Sequence, residues 1–224
     1  KYIFYSKLDK YHRPRKIYRH KIGSSSKNDQ LIFEEKDEGF TCSIDISSDE
    51  KYYIVSTSDH TSSEVHFFNV KEINIKPKLF KKRQKEIRYS IDSWNGNFFI
   101  HTNLDAEDFK ICMCKHDSIQ NWKDYIPATK GVLIGGFNLL NEWMIRSEVR
   151  DALSKLYVRN LNIDSEEELI ITEEKVISSG ASLMQKDRNT NKIYVAYHSP
   201  RTPGYTYIYD ILTKEKKLVK EEIV

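Results

Sequence analysis

The sequence is short of the residues that mark several protein classes. Three cysteines in 224 residues, two of them separated by a single residue, cannot build a disulfide scaffold, and an odd count suits a reducing compartment. Eight glycines and five prolines exclude collagen-like and low-complexity chains. No apolar run approaches the roughly 18 to 20 residues that span a bilayer, and the opening KYIFYSKLDK lacks the apolar centre of a signal peptide. The expectation is a soluble, cytoplasmic protein with no membrane partner. Neither charge dominates: 36 Lys and Arg stand against 33 Asp and Glu, a net +3 within a charged fraction of 31%. That balance argues against nucleic acid as a partner. The first residue is Lys rather than Met, so the chain is expected to begin inside a longer one.

What the sequence does have is Tyr, Phe and Ile in short runs bounded by Asp, Asn, Ser and Gly, the pattern of antiparallel strands. The runs repeat. GFTCSIDIS opens at residue 39, EIRYSIDSW at 86, KGVLIGGFN at 130 and KVISSGASL at 175, spacings of 47, 44 and 45. Each opening is followed by three more strand-like segments; FTCSIDI, for example, leads to KYYIVSTSD, EVHFFNV and KPKLFKK. A period of 40 to 50 residues with four strands in each marks propeller blades. In KIYVAYHS, Ile193, Val195 and Tyr197 share one face and Tyr194 and Ala196 the other, so both faces are apolar, as when a sheet packs between two neighbours. A sandwich is the all-β alternative, but it requires no such period.

The start of the chain fits the same unit with its first strand absent: YIFYSKLD, KIYRHKIG and QLIFEEKD match strands 2, 3 and 4. The predicted fold is an all-β partial propeller of four complete four-stranded blades plus three strands of another. The blades are expected at 1–38 (incomplete), 39–85, 86–129, 130–174 and 175–224, together one propeller fragment.

Candidate chemistry is sparse. A nucleophile elbow needs Gly-x-Ser-x-Gly, because its strained turn tolerates only small flanking residues; Gly180-Ala181-Ser182-Leu183-Met184 lacks the second Gly and lies in a predicted strand. Cys112, Cys114 and His116 could be drawn as soft metal ligands along one side of a strand, but a fourth ligand at matching spacing is missing, and burial against a neighbouring blade is the preferred reading. Gly131, Gly135 and Gly136 fit no phosphate-binding signature and read as close packing in an inner strand. Asp45, Asp92 and Asp105 cannot be paired from sequence. Asp105, Glu107 and Asp108 make a solvated turn, and the acidic tract 165–175 reads as an outer strand whose charges blunt a sheet edge. No catalytic residue, cofactor site or metal site is assigned.

Several segments together carry a resemblance. FYSKLDKYHRPRKIYRHKIG, LIFEEKDEGF, TSSEVHFFNV, HTNLDAEDFKI, NWKDYIPATKGVLIGGF and YHSPRTPGYTYIYDILTKEKKLVKEEIV resemble, in order, the propeller of the prolyl oligopeptidase family of serine peptidases, its oligopeptidase B branch most closely. The resemblance covers the whole chain and implies blades 3 to 7 of a seven-bladed propeller. In that family the propeller sits as a lid over a C-terminal α/β-hydrolase domain that holds the Ser, Asp and His, and its narrow tunnel admits short peptides; this branch cleaves after Lys or Arg. The implied partners are that hydrolase domain, absent from this chain, and short basic peptides.

The basic stretch 4–23 invites a nucleic-acid reading, but its apolar residues are strand residues. Lys10, His12, Arg13 and Arg15 cluster with Pro14 in the loop between two strands. On the resemblance this loop lies on one rim of the propeller, so His12, Arg13 and Arg15 are candidates for an interface with the hydrolase domain, solvent exposure being the alternative. Two functional readings stand. The chain is the non-catalytic, substrate-gating part of a peptidase, inactive alone, or it is a truncated remnant serving as an interaction scaffold, self-associating through its exposed blade faces.

Overall fold

The computed structural model describes residues 1–171, 180–183 (backbone), 187–200 and 203–222. Among these residues the regular structure is nineteen strands and one turn of 3₁₀ helix at Ser26–Asn28. The strands form five antiparallel sheets, each a meander in chain order. The first sheet has three strands, β1 (Tyr2–Leu8), β2 (Pro14–Lys21) and β3 (Gln30–Glu34), and β1 is a free edge. The second is β4 (Thr41–Ile46), β5 (Tyr52–Ser58), β6 (Ser63–Asn69) and β7 (Lys78–Lys81). The third is β8 (Tyr89–Trp94), β9 (Asn97–Thr102), β10 (Lys110–Lys115) and β11 (Lys123–Ile126). The fourth is β12 (Val132–Leu140), β13 (Trp143–Arg150), β14 (Leu153–Asn160) and β15 (Glu166–Glu168). The fifth is β16 (Gly180–Leu183), β17 (Lys192–His198), β18 (Tyr205–Asp210) and β19 (Lys216–Glu221). Four four-stranded sheets and one of three strands is the expected all-β propeller architecture.

The chain divides into two compact units, Lys1–Ala106 with Lys110–Pro127, and Glu107–Phe109 with Ala128–Val224. In the first unit, alternation on single strands supplies two seams. Tyr53 and Val55 of β5 pack with Phe4, Ile17, Phe33, Cys42 and Phe68 between the first and second sheets. Tyr52 and Ile54, on the opposite face of β5, join Phe67, Phe80, Phe98 and Ile100 between the second and third. At the centre of that seam three rings meet edge-on: Phe67 and Phe80 each lie 5.2 Å from Phe98 at 71° and 83°, the geometry that places a ring's positive edge on its neighbour's negative face. In the second unit, Ile145, Leu156 and Val158 pack with Ile193, Val195 and Tyr209 between the fourth and fifth sheets.

The turns follow backbone chemistry. Asn95 and Gly96, at φ 48° and 80°, make the two-residue loop between β8 and β9, and both residue types tolerate the left-handed region. Gly135 permits close packing, since a Cβ there would lie 2.8 Å from Ser147 Oγ on the paired strand. The loop between β13 and β14 uses Asp151 and Ala152 at φ 51° and 63°, and alanine pays a steric penalty there that glycine escapes. Ala152→Gly is therefore expected to raise stability by about 0.5 to 1 kcal/mol, read from the urea midpoint; a loss of stability would show that the turn is not strained.

Candidate functional site

The loop that joins β1 to β2 is built around Asp9. Its carboxylate accepts hydrogen bonds from the backbone N–H of Tyr11 at 2.7 Å and of Arg13 at 3.0 Å, and these bonds, that of Arg13 foremost, hold its pKa below 3.8. The turn puts His12 at φ 61° and leaves it exposed. Pro14, whose missing N–H is harmless at a strand's first position, opens β2. Arg13 donates to the Glu38 carbonyl at 2.8 Å and lies over the Tyr11 ring. Arg15 donates to the Glu35 carbonyl at 2.9 Å and pairs with the Glu38 carboxylate at 3.4 Å. Both guanidinium groups thus clasp the segment that follows β3, while His12 faces outward.

That segment leads to an ion pair whose carboxylate is buried and whose guanidinium is half-buried. Glu35 is 5% exposed, accepts the Asp37 N–H at 2.9 Å and pairs with the guanidinium of Arg83. Arg83 lies 3.9 Å over the Phe40 ring, and its backbone N–H donates to Glu64 at 2.9 Å. Arg83, within the run KKRQKE at 81–86, thus ties the end of the second sheet to the end of the first. Removing one partner of a buried pair strands the other. Arg83→Ala is expected to cost about 3 kcal/mol, with part of the loss recovered when Glu35→Gln is added; equal stabilities in urea titrations of the single and double variants would show that Glu35 is not stranded.

A serine, a histidine and a carboxylate do meet, at a place the sequence did not disclose. Ser93 on β8 donates to Asp49 Oδ2 at 2.9 Å, and its Oγ lies 2.9 Å from His116 Nε2; the Tyr52 hydroxyl is 3.2 Å from His116 Nδ1. For acyl transfer the carboxylate must hold the imidazole, and the imidazole must take the serine proton. Here the carboxylate holds the serine hydroxyl itself, and Ser93 is fully buried. The cluster is a tie between consecutive sheets, doubled next to it where Asp92 accepts from the Ser48 N–H at 2.7 Å and the Ser48 hydroxyl at 2.5 Å. Asp92 therefore holds a turn, and Asp45 accepts from the adjacent Ile46 N–H at 2.8 Å.

The other candidates fall out similarly. Cys112 and Cys114 lie in the second seam, with burial pushing their thiols up to about 12 and about 11; Cys42, in the first seam, rises to about 11. Such thiols stay protonated and unreactive. His116 turns to Ser93 and Tyr52, and among the described residues no group of three or more His, Cys, Asp or Glu could hold a metal ion. Gly180–Leu183 is strand rather than an elbow; Met184 lies outside the described residues, as do 172–175 of the acidic tract, whose Glu166–Glu168 forms the outer strand β15. Among the described residues no helix is long and apolar enough to cross a membrane.

Burial lowers the pKa of His116, and also of His66, whose Nδ1 is buried without a partner, from 6.5. Below pH 6.5 the unfolded chain binds protons that these imidazoles in the fold do not, so their contribution is complete above 6.5 and declines as pH falls below it. The carboxylates of Asp9, Asp59 and Asp124 are shifted the same way from 3.8 and act only at lower pH. Thermal midpoints are expected to fall between about pH 7 and pH 5, and to fall less in the His66→Gln/His116→Gln variant; parallel curves for the two proteins would contradict the assignment.

Alternating apolar faces, sheets tied to their neighbours by polar clasps, and a serine–histidine contact arranged for structure define a class: the β-propeller. The family model described as prolyl oligopeptidase, N-terminal beta-propeller domain, matches residues 1–222, and the chain belongs to that family. It is 27% identical over 219 residues to Protease 2 of Moraxella lacunata and 27% identical over 213 residues to dipeptidyl aminopeptidase BI of Pseudoxanthomonas mexicana. These alignments take in 98% and 94% of this chain but 31% and 29% of those proteins, so the chain spans about a third of the length of the relatives it matches. Oligopeptidase B from Trypanosoma brucei, in a closed form with covalently bound antipain, superposes with a TM-score of 0.91 over 99% of this chain and 33% of that one, at 24% identity. Oligopeptidase B from Leishmania major gives 0.90 over 98% of this chain and 32% of that one, at 17% identity. At these identities the superpositions speak for the fold.

Proposed function

We propose that this chain is the substrate-gating, non-catalytic propeller portion of an oligopeptidase B-like, serine-type peptidase that cleaves short peptides after Lys or Arg. The observation that carries the proposal is the match of the propeller family to residues 1–222. The inert thiols and the misdirected serine–histidine contact support it. The work of such a region is steric: a ring of packed sheets admits only chains that fit, and discrimination by exclusion needs no bond-making group. The bond-making groups belong to an α/β-hydrolase partner. Each sheet is taken as one blade, with limits at 1–38, 39–85, 86–129, 130–174 and 175–224, and the free edge of β1 is where a further strand completes the first. Self-association would use the same edge and the outer face of that sheet.

His12 is proposed to meet the hydrolase domain, with Arg13 and Arg15 holding its loop in place rather than reaching across. Three free, buried cysteines favour a cytoplasmic setting. The purified chain is expected to hydrolyse no arginine or lysine amide, and turnover that persists through repurification would overturn the non-catalytic reading. In the longer polypeptide, deleting residues 39–85 is expected to let long peptides compete with short ones; an unchanged size preference would remove the gating role.

A further inference from the structure

The two-residue loop between β8 and β9 holds the one asparagine of the chain that precedes a glycine, Asn95-Gly96; the others stand before Asp, Glu, Lys, Thr or a large apolar residue. Both loop residues are exposed. Among the described residues neither the Asn95 carboxamide nor the Gly96 N–H has a hydrogen-bond partner. Space is open as well. A Cβ built on Gly96 would meet nothing within 4 Å, so the glycine nitrogen can approach a neighbouring carbon with no side chain in the way. The peptide between the two residues is also polarised: the Asn95 carbonyl accepts from the Asn97 side-chain amide at 3.1 Å, and a hydrogen bond on a carbonyl makes the N–H of the same peptide more acidic. A free nucleophile, a free electrophile and the room to bring them together meet at one exposed turn.

We propose that Asn95 is a site of spontaneous covalent modification, deamidation through a cyclic imide, with water as the co-reactant. Hydroxide takes the proton of the Gly96 N–H, and that nitrogen attacks Asn95 Cγ. The N–Cγ bond forms, the Cγ–Nδ2 bond breaks, and Nδ2 leaves as ammonia with a proton from water. Water then opens the five-membered ring at either carbonyl. Opening at Cγ leaves an aspartate, whereas opening at the backbone carbonyl leaves an isoaspartate, whose main chain runs through Cβ and is one carbon longer. Either way an amide and a water have become a carboxylate and an ammonium ion. The longer product falls in a tight place. Trp94 and Asn97 close the loop as a pair, and the Gly96 carbonyl accepts the His116 N–H at 3.2 Å. Ser93, next to Trp94, carries the tie to Asp49 and His116. A two-residue loop fixes the register of its strands, so an added backbone carbon breaks the Trp94–Asn97 pairing and loosens that tie.

The site stands apart from the peptidase reading, since the reaction uses only this loop and water. Its test is to incubate the full 224-residue chain warm in mildly alkaline buffer, digest it and map the peptides by mass spectrometry, with isoaspartate counted by an isoaspartyl methyltransferase and a radiolabelled methyl donor. The peptide holding Asn95 is expected to gain the mass of an amide turned to a carboxylic acid, and to take the label at least about tenfold faster than any other asparagine-bearing peptide. Mildly acidic buffer is expected to slow the reaction, because the attacking nitrogen then keeps its proton. Asn95→Gln, whose side chain closes only a larger ring, is expected to stay unlabelled and to hold its thermal midpoint through the incubation while that of the parent chain falls. The peptide map of the parent chain decides the site without the variant. Modification spread over the asparagines at similar rates, an Asn95 peptide that stays intact while others react, or midpoints that fall equally in the two proteins would each overturn the proposal.

Discussion

Burial of both faces of one sheet is the constraint on which the rest of this structure depends. A single amphipathic face would have ended the assembly at two layers, as in a sandwich. Here β5 sends Tyr53 and Val55 into one seam and Tyr52 and Ile54 into the next, and β6 does the same with Phe68 on one side and Val65 and Phe67 on the other. A strand apolar in both phases cannot be satisfied by one neighbour, so each sheet requires a further sheet. Repetition follows from that requirement, and the period of about 45 residues is its trace along the chain.

Seams of this kind fix separation well and sliding poorly, because apolar contact has no direction. The polar clasps at the strand ends supply the missing direction. Asp49 and Ser48 reach from the loop after β4 to Ser93 and Asp92 on β8, and Glu35 after β3 reaches Arg83 after β7. Each joins one sheet to its successor through a side chain that accepts or donates along one line only. Apolar burial keeps these bonds from competing with water, and the bonds keep the apolar rings in register.

What could be read in the sequence follows from this division. Strands and their order were legible because alternation is local: KIYVAYHS states its two faces within eight residues, and four strands plus a turn recur as a unit. The serine–histidine tie was not legible, because Ser93 and His116 are 23 positions apart and neither sits in a motif that names the other. Arg83 was hidden by its company, since a run of Lys, Arg and Glu reads as solvated until one member is found over Phe40. The basic loop was placed between two strands by its pattern, but the commitment of Arg13 and Arg15 to residues 35–38 depends on how the chain turns after β3.

The chemistry of the interior is structural rather than reactive. Reactive groups are present in number: three thiols, a serine against a histidine, a histidine among carboxylates. Each is neutralised by the burial that holds the fold together. Thiols raised to about 11 and about 12 carry almost no thiolate near neutral pH. An imidazole depressed by burial resists the proton it would need to hand on, and Ser93 is turned toward Asp49 with no exposed surface for a substrate. The same packing that makes the sheets rigid therefore also makes them inert, and these follow from one physical cause rather than two.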